Sequence, residues 1–225
     1  MAAASGLVTV RTSKARRAVL ALSLAFLAAA PVLPAATIRV SPNGQLTVQQ
    51  AVARAKDGDT ITLAKGVYRS RGPVTISGRE SLTLVGEAGT WLVCDDAYEN
   101  VIEILESSDI SIEGIGARHA QPLEEYGCEG AVISCEGTIG LSIMGCELSG
   151  CGAIGVVLAD CDEVAVADCS IHDNSYAAFT LTEVATISIS GCTIEGNAAL
   201  MYCSSVEDLS MEGNTVSDYA EGSGE

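Results

Sequence analysis

Along most of this chain, apolar and polar residues alternate in short runs, and the runs recur at a fixed step. The segment Leu141-Ser142-Ile143-Met144-Gly145-Cys146-Glu147-Leu148 returns as Val164-Ala165-Val166-Ala167-Asp168-Cys169-Ser170-Ile171. It returns again as Ile187-Ser188-Ile189-Ser190-Gly191-Cys192-Thr193-Ile194 and as Leu209-Ser210-Met211-Glu212-Gly213-Asn214-Thr215-Val216, at steps of 23, 23 and 22 residues. Inside each copy the apolar positions have a period of two, which predicts β-strands rather than amphipathic helices. A constant step of this length predicts a solenoid, in which each position of the repeat becomes a column on the molecule.

The twin apolar positions extend backward as Ile61/Leu63, Leu82/Leu84 and Ile110/Ile112, giving seven rungs spaced 21, 28, 31, 23, 23 and 22 residues apart. A further strand lies upstream in each rung, marked by Ile76, Ile104, Cys135, Leu158, Leu181 and Cys203, and another downstream, marked by Leu148, Ile171, Ile194 and Val216. Three short strands per repeat make one coil of a parallel β-helix. Helical solenoids need a 3.6 period, and the Leu and Asn spacing of leucine-rich repeats is absent. With coils about 4.8 Å apart, seven rungs give a rod of roughly 30 Å. Ahead of the coils, Thr37 to Val40 reads as a strand stopped by Pro42-Asn43-Gly44. Val48, Ala51, Val52 and Ala55 then predict a short helix that starts at a Thr47/Gln50 capping box and ends at Asp57-Gly58. Its single apolar face suits it to plug the open end of a strand stack.

Residues 1–36 read as a signal peptide: Arg11, Lys14, Arg16 and Arg17 precede the apolar run Ala18 to Ala30, and small residues follow. The cut is expected after Ala35 or Ala36, and Arg16-Arg17 leaves a twin-arginine route open. The run is too short for a transmembrane helix, which needs about 20 residues. Export to a secreted or periplasmic location is therefore expected. Residues 37–218 form one expected β-helix domain, and 219–225 a polar tail.

The chain resembles the right-handed parallel β-helix proteins of the pectate-lyase-like superfamily. The resemblance runs from Thr37 to about Asp218. Asp57-Gly58-Asp59-Thr60-Ile61-Thr62-Leu63-Ala64-Lys65-Gly66-Val67-Tyr68 is similar to the opening of many secreted β-helix proteins and pectin methylesterases. Gly213-Asn214-Thr215-Val216 resembles the family's Asn-containing turn, and the chain departs from it by placing Cys146, Cys169 and Cys192 in that column. The resemblance implies an all-β fold of six to seven coils with an N-terminal helical cap. It implies no one activity, because lyases, hydrolases, esterases, epimerases and adhesins share the architecture.

Composition changes the picture mainly through charge. After Arg118 there is no Lys or Arg, but there are 18 Asp or Glu. Such a surface repels nucleic acid and anionic polymers such as polygalacturonate. The acidic columns Glu106, Asp160, Glu183 and Asp109, Glu163, Asp208 leave calcium open as a ligand, although Gly137 and Gly140 interrupt them. No other cofactor or metal is expected.

Nine cysteines in an exported chain suggest disulfides, with at least one thiol unpaired. Cys146, Cys169 and Cys192 share a column and read as stacked buried thiols, although the coil spacing also leaves disulfides open. Cys135 and Cys203 read as core filler. Cys128 and Cys151, in loops of adjacent coils, are the expected disulfide.

Function in a β-helix belongs to outward columns and loops. The outward first-strand column is Thr75, Glu103, Ser134, Val157, Thr180 and Tyr202. The column Arg118, Ser149, His172, Glu195 and Ser217, with its neighbour His119, Gly150, Asp173, Gly196 and Asp218, holds both histidines. A loop containing Glu124, Glu125 and Tyr126 lies beside them, on the side where the family's clefts commonly sit. The candidate catalytic residues are His172, Asp173 and Glu103 as acid or base. The candidate substrate-binding residues are Arg118, His119, Glu124, Tyr126 and Tyr202. The competing reading makes His172-Asp173-Asn174 an ordinary polar turn.

Signatures that the resemblance would bring are missing. There is no polygalacturonase-like Asn-Thr-Asp with a following Asp-Asp and Gly-His-Gly, only the lone pair Asp95-Asp96. There is no epimerase-like Asp-Pro-Tyr-Asp, no paired Arg and Lys beyond Arg118 as in lyases, and no methylesterase set. The expected function is an exported β-helix protein associated with polysaccharide or a cell-envelope glycan, without a recognisable catalytic set. The alternatives are a small polysaccharide-active enzyme, lyase or glycoside hydrolase, and a structural module that self-associates through an uncapped C-terminal end.

Overall fold

The computed structural model describes residues 35–120, 130–150 and 154–217, all within one compact unit, Pro34–Glu225. Residues 1–34 of the expected leader lie outside the described residues, as do Glu124, Tyr126, Cys128, Cys151 and the tail.

The chain opens with β1 (Thr37–Val40), α1 (Val48–Arg54), β2 (Thr60–Leu63) and β3 (Gly66–Ser70). Three-strand coils follow: β4 (Val74–Ser77), β5 (Thr83–Gly86) and β6 (Thr90–Cys94); then β7 (Ile102–Leu105), β8 (Ser108–Glu113) and β9 (Gly116–His119). Next come β10 (Ala131–Glu136), β11 (Ile139–Met144) and β12 (Glu147–Ser149), and β13 (Ile154–Cys161), β14 (Val164–Ala167) and β15 (Ser170–His172). In the last two coils the first two strands fuse, as β16 (Ala177–Ser190) before β17 (Thr193–Glu195) and β18 (Met201–Glu212) before β19 (Thr215–Ser217).

Every pairing is parallel and joins one coil to the next. The third strands form a sheet of seven, ordered β19-β17-β15-β12-β9-β6-β3. The first strands carry the expected column, with Ile76 opposite Ile104, Ile104 opposite Cys135, Cys135 opposite Leu158, and Leu181 opposite Cys203. One register differs from the sequence reading. Ile61 pairs with Leu84 and Leu63 with Gly86, so this step is 23 residues and Leu82 precedes the strand. A count of large apolar residues slides past Gly86, which takes the rung position instead. A Cβ there would meet Gly114 O and Ile115 Cγ1, each at 2.9 Å.

Inward columns are buried, including Ile76, Leu84, Ile104, Ile112, Ile143, Leu158 and Ile189. Cys203 departs from its expected filler role: it is exposed on β18, which among the described residues pairs with β16 alone. The corners follow from backbone geometry. At the bend between first and second strands, Gly78, Glu106, Gly137, Asp160, Glu183 and Ser205 all have φ between 45° and 61°. Gly, Asp and other short polar residues adopt that left-handed conformation most readily. The first of the two broken acidic columns, Glu106, Asp160 and Glu183, therefore sits at turn positions. Among the described residues, no three of His, Cys, Asp and Glu come together as a metal site.

The cysteine column sits at the next corner, after the left-handed residues Gly145, Asp168 and Gly191. A Cβ at Gly191 would meet Asp168 Oδ1 at 2.6 Å. The thiols are free and buried. The Cys146 amide donates to Cys169 Sγ at 3.4 Å, as the Cys192 amide donates to Asn214 Oδ1 at 2.8 Å. Cys169 Sγ lies 3.5 Å from Ile143 O, where Asn214 Nδ2 donates to Ile189 O at 2.9 Å. Thiol and carboxamide thus make equivalent links between coils.

At the N-terminal end, α1 buries Val48, Ala51 and Val52, and both halves of the Thr47/Gln50 capping box are formed. Gln49 completes the cap. Its carboxamide accepts from the Thr75 amide at 2.8 Å and donates to Thr75 O at 3.2 Å, so it pairs with β4 as a neighbouring strand would.

Candidate functional site

One groove of about 420 Å³ lies on the outer face of the third-strand sheet, lined by Trp91, Arg118, Glu147, Ser149, His172 and Asp173 and bordered by His119, Ala120 and Gly150. Register puts them there. Arg118 pairs with Ser149 and Ser149 with His172, while Trp91 pairs with Gly116 and Gly116 with Glu147. Two outward columns therefore run side by side across β6, β9, β12 and β15.

Trp91 lies across Gly116, where an added Cβ would sit 2.5 Å from its ring. The Arg118 guanidinium stacks 5.1 Å from the ring centroid, a cation–π contact that fixes both side chains. His172 lies between two carboxylates. Its Nδ1 is 2.8 Å from Asp173 Oδ2, and its Nε2 is 3.5 Å from Glu147 Oε1. A carboxylate only accepts, so the short contact places the proton on Nδ1 and turns the Nε2 edge toward Glu147. The site is open: the side chains of Glu147 and Asp173 are 50% and 70% exposed, that of His172 23%.

Asp173 and His119 occupy the same sequence column but face opposite ways. Strands β12 and β15 end at Ser149 and His172, and Asp173 follows in a left-handed turn, φ 57°, which carries it outward. Strand β9 runs one residue further, so His119 stays extended opposite Cys94 and alternation turns it inward, to 1% exposure. The expectation of an outward His119 is corrected accordingly.

Two other candidates fall elsewhere. Glu103, on β7, does not line the groove; Thr75 Oγ1 donates to it at 3.3 Å and Asn100 Nδ2 at 3.2 Å. Tyr202, on β18, stacks on Tyr176 with ring centroids 4.7 Å apart. Trp91 and Glu147 are the residues that sequence reasoning missed. Period-two alternation carried the signal, since each lies two residues before a position in the Arg118 register on its strand. A second hollow, of about 260 Å³, lies between the cap and β3, and its one basic side chain, Arg69, is paired with Asp95.

Residues 129–223 match the family model for the right handed beta helix region. Among solved structures, a candidate glycosyl hydrolase from Parabacteroides merdae is similar at 16% identity and TM-score 0.60, over 71% of this chain and 83% of that one. ORF18 of Geobacillus virus E2 is similar at 15% identity and TM-score 0.59, over 80% of this chain and 40% of that one. A pectate lyase is similar at 14% identity and TM-score 0.44, over 72% of this chain and 54% of that one. No curated protein matches the sequence. The chain folds as a right-handed parallel β-helix, a fold that it shares with the first two of these structures, and residues 129–223 carry the sequence of that repeat region.

Proposed function

We propose that this is an exported carbohydrate-binding β-helix protein whose third-strand groove holds a neutral or sparsely charged glycan. The observation that carries the reading is the Trp91–Arg118 stack beside the Asp173–His172–Glu147 set in one groove. An aromatic ring offers apolar area to a sugar face, and Arg118 donates to its oxygens. Glu147 and Asp173 accept from its hydroxyls. One guanidinium against two carboxylates does not make a polyanion site, and no further Lys or Arg follows Arg118. Export rests on the basic and apolar pattern of residues 11–36. One structural neighbour is described as a candidate glycosyl hydrolase, which agrees with a carbohydrate role but contributes a likeness of fold.

A second reading, acid–base catalysis, is favoured by the Asp173-oriented ring of His172. Binding is the better account because the groove is shallow and both carboxylates stand open to water, their side chains 50% and 70% exposed. The test is a glycan array with parallel turnover assays. Binding to neutral oligosaccharides that falls at least tenfold in Arg118→Ala, without product formation, supports the binding reading. Turnover abolished in His172→Ala replaces it with the catalytic one, and an array without ligands removes both.

A further inference from the structure

Strand β18 is an edge strand: among the described residues it pairs with β16 alone, which leaves its other side without a strand partner. The inward residues of β16, Phe179, Leu181, Val184, Ile187 and Ile189, are buried. Register sets them opposite Met201, Cys203, Val206, Leu209 and Met211 of β18. There Leu209 is 42% exposed, Cys203 is exposed, and the other three are half-buried. A row that is core one coil earlier thus stands partly open to water. Its steps of two, three, three and two residues read the same in both directions, with Val206 at the centre. The strand turns a corner at Ser205, φ 58°. An axis bisecting that corner exchanges the two arms of β18, reverses the chain direction and keeps the inward side inward.

We propose that β18 recognises a second copy of this chain, the two joining end to end by antiparallel pairing of their β18 strands about a two-fold axis through Val206. Residues directly opposite in an antiparallel pair share a face. This axis sets Met201 opposite the second copy's Met211, Cys203 opposite its Leu209, and Val206 opposite its own counterpart, so the two open rows close on each other. Charge fits as well: Asp208 meets Ser204 and Glu207 meets Ser205, hydroxyls that donate to carboxylates, and no acid falls opposite an acid. A slip of two residues would set Val206 opposite Ser204 in one direction or Asp208 in the other, so the apolar row fixes the register. A foreign strand would need no such symmetry, whereas a two-fold contact requires it. The pairing leaves the groove on β6, β9, β12 and β15 untouched and stands independently of the glycan reading.

Sedimentation equilibrium of the full chain at rising concentration tests the assembly. The expected result is a monomer–dimer equilibrium that stops at twice the monomer mass, because a two-fold contact closes on itself. Leu209→Lys is expected to weaken dimerisation about tenfold or more, with the melting temperature of the monomer kept because Leu209 is already exposed. The register is tested separately by Val206→Cys in a Cys203→Ser background, oxidised with glutathione disulfide, which takes up the two electrons and two protons of each new bond. The expected product is a covalent dimer joined through the introduced thiol and its own counterpart, identified by the mass of the linked peptide. A monomer at every concentration, or a dimer of equal affinity in Leu209→Lys, overturns the proposal. Growth beyond the dimer, or a dimer that Val206→Cys does not link, overturns the two-fold at Val206.

Discussion

Cys169 and Asn214 do the same work at corresponding corners of different coils: each accepts an amide from the coil before it and sits against that coil's strand carbonyl. The cysteines therefore link coils rather than only fill space. Cys169→Ala leaves the Cys146 amide unmet and should cost about 1–3 kcal/mol. Cys169→Asn should cost less, because a carboxamide makes both contacts. Urea unfolding of the two variants decides this, and an alanine variant as stable as wild type would reduce the column to packing. The stacking of these residues was legible in the sequence because the repeat places them at one register. The bonding was not, since a thiol gives no sequence sign of taking an asparagine's role. His119 was legible as a groove residue but not in depth. Its inward turn depends on β9 running one residue beyond the length of β12 and β15, which no residue type announces.

At the scale of elements, the cap and first coils depend on side chains that stand in for backbone. The Gln49 carboxamide satisfies the edge of β4 at Thr75. Gln49→Ala should release that edge, read as faster hydrogen exchange of the Thr75 amide with little change at Ile143. Asp59 ties α1 to β1 by accepting from the Lys56 amide at 2.9 Å and the Ala36 amide at 2.8 Å. Those donors, Lys56 first, hold its carboxyl below the ordinary carboxylate range. A folded value below the unfolded one means that Asp59 stabilises the fold above roughly pH 4 and ceases to do so as pH falls through the folded value. Stability measured against pH in the acid range should therefore fall less steeply in Asp59→Asn, and an unchanged slope would remove Asp59 from the account. The helix and its capping box could be read from Thr47, Gln50 and the spacing of Val48, Ala51 and Val52. The partnership of Gln49 with β4 could not, because it joins residues 26 apart through a side chain.

For the β-helix unit as a whole, the repeat carries the fold, and its outward columns carry the site. The columns beginning at Arg118 were legible because the regular steps align Arg118, Ser149 and His172. Trp91 and Glu147 were harder to see, since β6 belongs to the early coils, where steps of 28 and 31 residues hide the register. Charge is divided along the chain. Residues 35–79 hold seven Lys or Arg and two Asp or Glu, whereas no Lys or Arg follows Arg118. The groove lies across that division, with Arg118 as the last fixed cation of the sequence. This predicts a preference for neutral glycans over polyanions that low salt should sharpen, because screening of the acidic half weakens as ionic strength falls. Trp91 is the chain's single tryptophan and lines the groove, so its fluorescence reports the proposed site without a label. The direct measurement is a titration of Trp91 emission with neutral oligosaccharides and with polygalacturonate, in wild type and Arg118→Ala. The account predicts a saturable change with at least one neutral glycan, none with polygalacturonate, and at least a tenfold loss of affinity in the variant. Flat emission across the panel, or a neutral-glycan response of equal affinity in Arg118→Ala, would contradict it.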